Sequence, residues 1–85
     1  MYSVEYSKTA VKALAKLDRG AAVMVIAWIE KNLVGCFDPR SHGKALTGGM
    51  KGYWCYRVGT YRIIAKIYDN VITVNIINIG HRHKI

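Results

Sequence analysis

The sequence predicts an α+β fold with an N-terminal strand, a two-helix hairpin and a three-stranded antiparallel meander, in which the helices cover one face of the sheet. Three observations predict this fold. A short alternating stretch opens the chain, two helical segments follow it, and three β-rich runs divided by hairpin turns come last. A chain of 85 residues has room for one hydrophobic core, so we expect a single domain over residues 1–85.

The N-terminal segment predicts a strand and then a helix. Residues 1–6 alternate apolar and polar side chains, with the even-numbered residues facing the core. Ser7 is a suitable N-cap for a helix that begins at the next residue. We expect this helix to pack against the sheet through Val11, Leu14 and Ala15, with Ala10 and Leu17 beside them.

The opposite face of the first helix carries lysines every four residues, at Lys8, Lys12 and Lys16. This spacing places their side chains in one row along the helix surface. We expect a solvated stripe of charge, with contact to an RNA backbone as the alternative interpretation.

A second helix is predicted over about residues 21–34, after Asp18, Arg19 and Gly20 break the first helix, and either Asp18 or Gly20 can cap it. Its apolar run over residues 21–29 is too short to span a membrane, so we expect no membrane partner. The run is also apolar around most of the helix circumference. Packing on the sheet is the first explanation, and an exposed stripe for a protein partner is the second.

Residues 53–84 predict the meander. Gly59-Thr60 and Asp69-Asn70 are both suitable two-residue hairpin turns. The first turn predicts the cross-strand pairs Arg57 with Arg62, Cys55 with Ile64, and Tyr53 with Lys66. The second turn predicts the pairs Arg62 with Ile77, Ile64 with Asn75, and Lys66 with Thr73. Because facing residues share a side of the sheet, both arginines lie on one face.

The arginine pair is the most informative feature of this face. Like charges at a cross-strand pair destabilise a sheet by up to ~1 kcal/mol. No acid lies between Asp38 and Asp69 to neutralise them, and from Arg40 onward eight Lys or Arg residues face a single acid. A bound anion would relieve the repulsion, so we predict a phosphate-binding face rather than a merely solvated pair.

Composition narrows the class of partner and chemistry. The net charge of +8 predicts an acidic partner such as nucleic acid, an anionic surface or an acidic protein. Two cysteines form no disulfide framework and no signal peptide is recognisable, so we expect a cytoplasmic protein. Five scattered acids make a carboxylate metal site unfavourable, so we expect metal-free chemistry without a cofactor. We expect the glycine-rich segment over residues 35–52 to form loops, and it matches no nucleotide-binding motif.

Three stretches together resemble a known family. They read D-P-R-S-H-G-K-A-L-T-G over residues 38–48, Y-R-V-G-T-Y-R-I-I over residues 56–64 and I-G-H-R over residues 79–82. With the order of elements, they are similar to the RelE/ParE toxin superfamily of bacterial type II toxin–antitoxin systems, and most similar to its RelE-type branch. The resemblance covers essentially the whole chain and implies the RelE-like, microbial RNase-like fold. It also implies ribosome-dependent, metal-independent cleavage of mRNA, inhibition of translation, and neutralisation by a RelB-like antitoxin in a hetero-oligomer.

The resemblance also implies a set of site residues on the open sheet face. By motif position these are Arg57 and Arg62 on the hairpin and Arg82 after the last strand. Lys44 is assigned less directly, from the H-G-K segment. Arg62 is our first candidate for stabilising transition-state charge, and His81 is the nearby group suited to proton transfer. The predicted catalytic set is Arg62, Arg57, Arg82 and His81. The predicted RNA-binding set is Lys44, Tyr53, Cys55, Lys66 and Lys84.

Two departures from the family pattern predict attenuated cleavage. Cys55 stands where relatives usually carry Arg or Lys, and the sequence ends at Ile85 without the Tyr expected after G-H-R. A ParE-like inhibitor of DNA gyrase with the same fold therefore remains an alternative function. A non-catalytic basic RNA-binding module is a second alternative, from a different class.

Overall fold

The computed structural model describes residues 1–81. One strand is followed by two α-helices and then by four strands: β1 (Ser3–Tyr6), α1 (Lys8–Lys16), α2 (Arg19–Asn32), β2 (Lys44–Ala45), β3 (Trp54–Val58), β4 (Tyr61–Tyr68) and β5 (Thr73–His81). Short 3-10 turns occupy Pro39–His42, Gly48–Met50 and Asp69–Val71. Within this part of the chain, no helix is long and apolar enough to cross a membrane.

All five strands form one sheet in the order β1-β5-β4-β3-β2. Strand β1 runs parallel to β5, and the other neighbours are antiparallel. The α+β prediction is confirmed. The two-residue strand β2 lies in the segment that we predicted as a loop, and it adds an edge strand in which Lys44 pairs with Cys55.

Each helix begins directly after a residue whose side chain caps it. Ser7 Oγ accepts a hydrogen bond from the Ala10 amide at 3.0 Å, and Asp18 Oδ1 accepts one from the Ala21 amide at 2.7 Å. Because Asp18 is the cap, α2 starts at Arg19 and includes Gly20, rather than starting at residue 21 as predicted.

The core lies between the two helices and one face of the sheet. Residues Ala10, Val25, Ile29 and Leu33 of the helical hairpin pack against Tyr56, Val58, Ile63, Ala65, Val74, Ile76 and Ile79 of the sheet. Tyr2, Val4 and Tyr6 pack against this cluster, as predicted for β1.

The predicted inward face of α1 was correct in part, because Ala10, Leu14 and Leu17 pack on the core but Val11 and Ala15 do not. Val11 is 55% exposed and Ala15 is also exposed. The residues that pack on the core are Ala10, Ala13, Leu14 and Leu17. They follow the i, i+3, i+4, i+7 spacing of one helix face. Small alanines on this face allow the short helix to approach β5.

The register of the β3–β4 hairpin is the predicted one. Arg57 pairs with Arg62 and Cys55 pairs with Ile64. Gly59 has a positive φ of 59° in the turn, a conformation that glycine adopts without strain.

The predicted register of the β4–β5 hairpin was wrong. Its loop is a 3-10 turn followed by Ile72 in the left-handed conformation, so the two-residue turn does not form. The pairs are Lys66 with Asn75, Ile64 with Asn78 and Arg62 with Gly80, with a bulge between Ile64 and Ala65. Val71 and Ile72 have high β propensity and gave no sequence signal of a turn.

Candidate nucleic-acid interface

A groove of about 380 Å³ lies on the face of the sheet that the helices leave open. One wall is the segment over residues 41–46, and the floor is the β3–β4 hairpin. Its lining residues are Ser41, His42, Gly43, Lys44, Ala45, Leu46, Cys55, Arg57 and Arg62. We call this the arginine groove.

Strand alternation explains why three cations meet in the arginine groove. Tyr56 and Ile63 are fully buried in the core, so their neighbours Arg57 and Arg62 project from the opposite face. The β2–β3 pairing places Lys44 directly opposite Cys55, on that same face. Cys55, Arg57 and Arg62 thus share a face, as strand alternation predicted, and Lys44, which was assigned from the resemblance, lies on the same face.

The acid that could have neutralised these cations is bound elsewhere. Arg40 donates to both carboxylate oxygens of Asp69, at 3.0 and 2.8 Å, and the Tyr2 hydroxyl donates to Oδ1 at 2.6 Å. These hydrogen bonds, the one from Arg40 first, hold the pKa of Asp69 below its usual value. Arg40–Asp69 is the only ion pair within residues 1–81. The cations of the arginine groove therefore have no carboxylate partner in this part of the chain.

Arg62 also has an unused donor. Its Nε is buried and has no hydrogen-bond partner among the described residues. A buried donor without an acceptor is costly, and guanidinium groups form strong paired hydrogen bonds to phosphate oxygens. An anion bound in the groove would reduce the repulsion between the two arginines.

Tyr56 supports the wall of the groove from below. Its side chain is fully buried, its hydroxyl donates to the Pro39 carbonyl at 2.8 Å, and burial raises the pKa of the phenol. Gly43 runs so close above it that an added Cβ would lie 2.7 Å from the Tyr56 ring and 2.8 Å from the Cys55 carbonyl oxygen. This close packing fixes the path of residues 41–46 beside the sheet face.

His42 is the histidine that the structure brings to the arginine groove, and sequence reasoning gave it no site role. The edge of its ring meets Trp28, with ring centroids 6.3 Å apart, and Trp28 in turn packs against Tyr56 at 5.5 Å. The sequence feature that could have identified His42 is the H-G-K segment over residues 42–44, in which only Lys44 was assigned a function. The glycine between them is the residue that permits the close approach to Tyr56.

His81 lies apart from the arginine groove. It pairs with Tyr61, their ring centroids are 5.5 Å apart, and Tyr61 packs against the core. Because Arg62 follows Tyr61 and pairs with Gly80, the arginine and His81 belong to opposite faces of the sheet. The structure therefore does not bring His81 together with Arg57 and Arg62, which the sequence prediction grouped with it.

The remaining predicted residues lie at the other end of the open face or outside the described residues. The Lys66 ammonium lies 5.7 Å from the centroid of the Tyr53 ring. Trp54 projects to the other side, where the Arg40 guanidinium lies 5.8 Å from its ring. Arg82 and Lys84 lie outside the described residues. Among residues 1–81 there is no group of three or more His, Cys, Asp or Glu side chains that could hold a metal ion.

Two helices cover one face of the sheet, and the cations on the other face have no carboxylate partner within residues 1–81, so the chain is a small basic α+β domain. Residues 4–85 match the family described as the ParE toxin of type II toxin–antitoxin system, parDE. The chain belongs to this family, within the RelE/ParE toxin superfamily that the sequence motifs predicted.

Individual relatives agree with this assignment. The chain is 32% identical to Toxin RelG of Mycobacterium tuberculosis over 81 residues, which cover 95% of this chain and 91% of that protein. It superposes with a TM-score of 0.87 and 32% identity on a chain of the toxin–antitoxin complex RelBE2 from Mycobacterium tuberculosis, covering 95% of this chain and 98% of that one. The intact RelBE complex of E. coli gives a TM-score of 0.72 at 17% identity over 95% and 96% of the chains, which shows the shared fold.

Proposed function

We propose that this toxin is a metal-independent endoribonuclease that cleaves mRNA bound in the ribosome and so inhibits translation. The observation that carries the proposal is the arginine groove, where Lys44, Arg57 and Arg62 converge without a carboxylate partner among the described residues. Such a groove suits a polyanion, and its single-sided opening on a sheet face suits a single RNA strand.

The chemistry proposed is an intramolecular displacement at one phosphodiester. The ribose 2′-OH loses its proton and its oxygen attacks the adjacent phosphorus, the bond to the 5′-oxygen breaks, and that oxygen takes a proton from water. The products are a 2′,3′-cyclic phosphate and a 5′-hydroxyl. Such a reaction needs in-line geometry, charge stabilisation at the phosphoryl oxygens and a proton acceptor.

We assign charge stabilisation to Arg62, because it lines the arginine groove and a guanidinium group forms strong paired hydrogen bonds to phosphate oxygens. Arg57 and Lys44 hold the flanking phosphates. Arg82, which the resemblance places after β5, is proposed as a further phosphate contact. Cys55 supplies no charge at a position where the family usually has a base, so cleavage is expected to be slower than that of relatives with an Arg or Lys there.

We assign proton acceptance to His42, because it lines the arginine groove and is held by Trp28. His81 is the alternative acceptor, but it would need to act from the face of the sheet opposite to Arg62. Substituting each histidine separately distinguishes the two assignments, and the expected outcomes are given in the Discussion.

The partner proposed is an acidic, amphipathic antitoxin of the RelB type that forms a hetero-oligomer with the toxin. Helix α2 exposes Val23, Met24 and Ile26, which offers apolar surface to such a peptide, while the net charge of +8 attracts its carboxylates. Related folds occur in the toxin–antitoxin complexes named above. Co-purification from cells that carry the native operon tests this. Recovery of the toxin alone, harmless to its host, would refute it.

A gyrase inhibitor is the second candidate, because the matched family is described by its ParE toxin and Cys55 lacks the usual charge. Two assays on the same purified protein separate the candidates. We expect cleavage of a message on a programmed ribosome and unchanged DNA supercoiling by gyrase. Inhibited supercoiling without cleavage would establish the second candidate, and inactivity in both assays would favour a non-catalytic RNA-binding module.

A further inference from the structure

The open sheet face has a second cluster at the end opposite the arginines. The Lys66 ammonium lies between two tyrosine rings, 5.7 Å from the centroid of Tyr53 and 5.5 Å from that of Tyr68. We call these three residues the tyrosine clamp. Neither a core function nor the arginine groove accounts for it, since none of the three belongs to the buried cluster or lines that groove.

The strand register places polar side chains beside the clamp. Lys66 pairs with Asn75, and Tyr68 pairs with Thr73, so all four side chains share the open face. Tyr68 is 37% exposed, and Tyr53 and Lys66 are half-buried. Aromatic faces, an ammonium and an amide are therefore accessible within one cross-strand patch.

The positive charge of the clamp has no carboxylate partner within residues 1–81. The nearest acid in sequence, Asp69, is bound by Arg40 and Tyr2. Lys66 interacts instead with the two rings, and such contacts leave an ammonium able to bind an anion. The clamp thus presents the combination of a cation and stacking surfaces that single-stranded nucleic acid requires.

The clamp and the arginine groove are separate along the same strand. Lys66 follows Arg62 by four positions on β4, a rise of roughly 13 Å at strand geometry. Ile64 lies between them on the same face and is only 5% exposed, so this apolar residue separates the arginine groove from the tyrosine clamp. This separation exceeds one nucleotide, and the clamp would contact a nucleotide beyond the pair that is cleaved.

We propose that Tyr53, Lys66 and Tyr68 form a second nucleotide subsite, which holds a base of the message that flanks the cleavage position. Tyr68 stacks on the base, Lys66 contacts a phosphate, and the Asn75 amide faces the base edge. This subsite rests on the proposed endoribonuclease function for its ligand. It adds a site of sequence preference that the charge stabilisation by Arg62 does not require.

Binding of a short single-stranded 2′-O-methyl RNA, measured by fluorescence anisotropy, tests the subsite without cleavage. We expect Tyr68→Ala to bind about tenfold more weakly, and Tyr68→Phe to bind like the wild type because it keeps the ring. Phe37→Ala is the matched control, since Phe37 is an exposed aromatic residue, 82% accessible, outside the open face. Lys66→Gln should lower the salt dependence of binding by about 0.7 in log–log slope.

The outcomes separate failure of the subsite from failure of the proposed function. A wild-type toxin that binds the RNA while Tyr68→Ala and Lys66→Gln bind equally well would overturn the subsite alone. A wild-type toxin that neither binds the RNA nor cleaves a ribosome-bound message would overturn both proposals. Equal losses in Phe37→Ala and Tyr68→Ala would also refute a specific subsite.

Cleavage on programmed ribosomes tests the assignment to the message. For the wild type, changing the nucleotide that flanks the cleavage position should change the cleavage rate. In Tyr68→Ala that dependence should be lost while Tyr68→Phe retains it, an effect that a purely structural tyrosine would not produce. A uniform loss of rate over all messages would contradict an occupant drawn from the message.

Discussion

The two faces of the β3–β4 hairpin differ in whether their polar side chains have hydrogen-bond or ion-pair partners. On the covered face, Tyr56 and Ile63 are fully buried, and the Tyr56 hydroxyl has its acceptor. On the open face, Arg57 and Arg62 oppose each other without an acid partner among the described residues. Successive residues of the same strands thus serve folding on one side and anion binding on the other. The difference predicts that stability and activity can be changed separately.

The largest expected effect is the loss of cleavage in Arg62→Ala. Removing one group that stabilises developing charge typically costs on the order of a hundred- to a thousandfold in rate. Toxicity on induction and cleavage of a programmed ribosome are the measurements. Lys31→Ala, which removes an exposed cation at the end of α2, is the control and should stay toxic. Full toxicity of Arg62→Ala would contradict the assignment.

The neighbouring substitution Ile63→Ala should produce the opposite pattern. It leaves a cavity in the core and should lower the free energy of unfolding by ~2–5 kcal/mol. Urea denaturation measures this, and cleavage per folded molecule should change little. If Ile63→Ala loses cleavage in its folded fraction as completely as Arg62→Ala does, the two faces are not functionally distinct.

The two histidines provide a third comparison, since one lines the arginine groove and the other lies on the covered side. We expect His42→Gln to slow cleavage by on the order of a hundredfold, because general base catalysis contributes at least that much. His81→Gln should have the smaller effect. Ribosome binding should be unchanged in both. A larger loss at His81 would return the proton-accepting role to the residue that the sequence prediction chose.

A smaller gain is expected from Cys55→Arg, which adds a cation to the open face opposite Ile64. Cleavage should become a few-fold faster, and the salt dependence of RNA binding should steepen by about 0.7 in log–log slope. Lys44→Arg, which keeps the charge on the facing strand, is the control. An unchanged salt response in Cys55→Arg would show that this position does not contact RNA.

Local signals in the sequence predicted most of the fold and part of the site. The cap at Ser7 predicted where α1 begins, and the Gly59-Thr60 turn predicted the Arg57–Arg62 pair. These features depend on residues close in sequence. Family motifs predicted the superfamily, which the comparisons confirm.

The features that were missed depend on contacts between distant residues. Strand β2 has only two residues and exists because Lys44 and Ala45 pair with β3. The loop before β5 contains Ile72 in an unusual conformation that its side chain does not predict. His42 gained its place only through Trp28 and the Tyr56 ring. Such contacts have no signature in residue type or spacing.

The measurement that tests the contrast between the faces most directly is the unfolding free energy of Arg62→Met. Methionine keeps the apolar stem but removes both the charge facing Arg57 and the buried Nε that has no partner among the described residues. We expect urea denaturation to show a variant more stable than the wild type, by up to ~1 kcal/mol, and inactive in cleavage. A variant that is less stable than the wild type would contradict the view that the arginine pair opposes folding and serves anion binding.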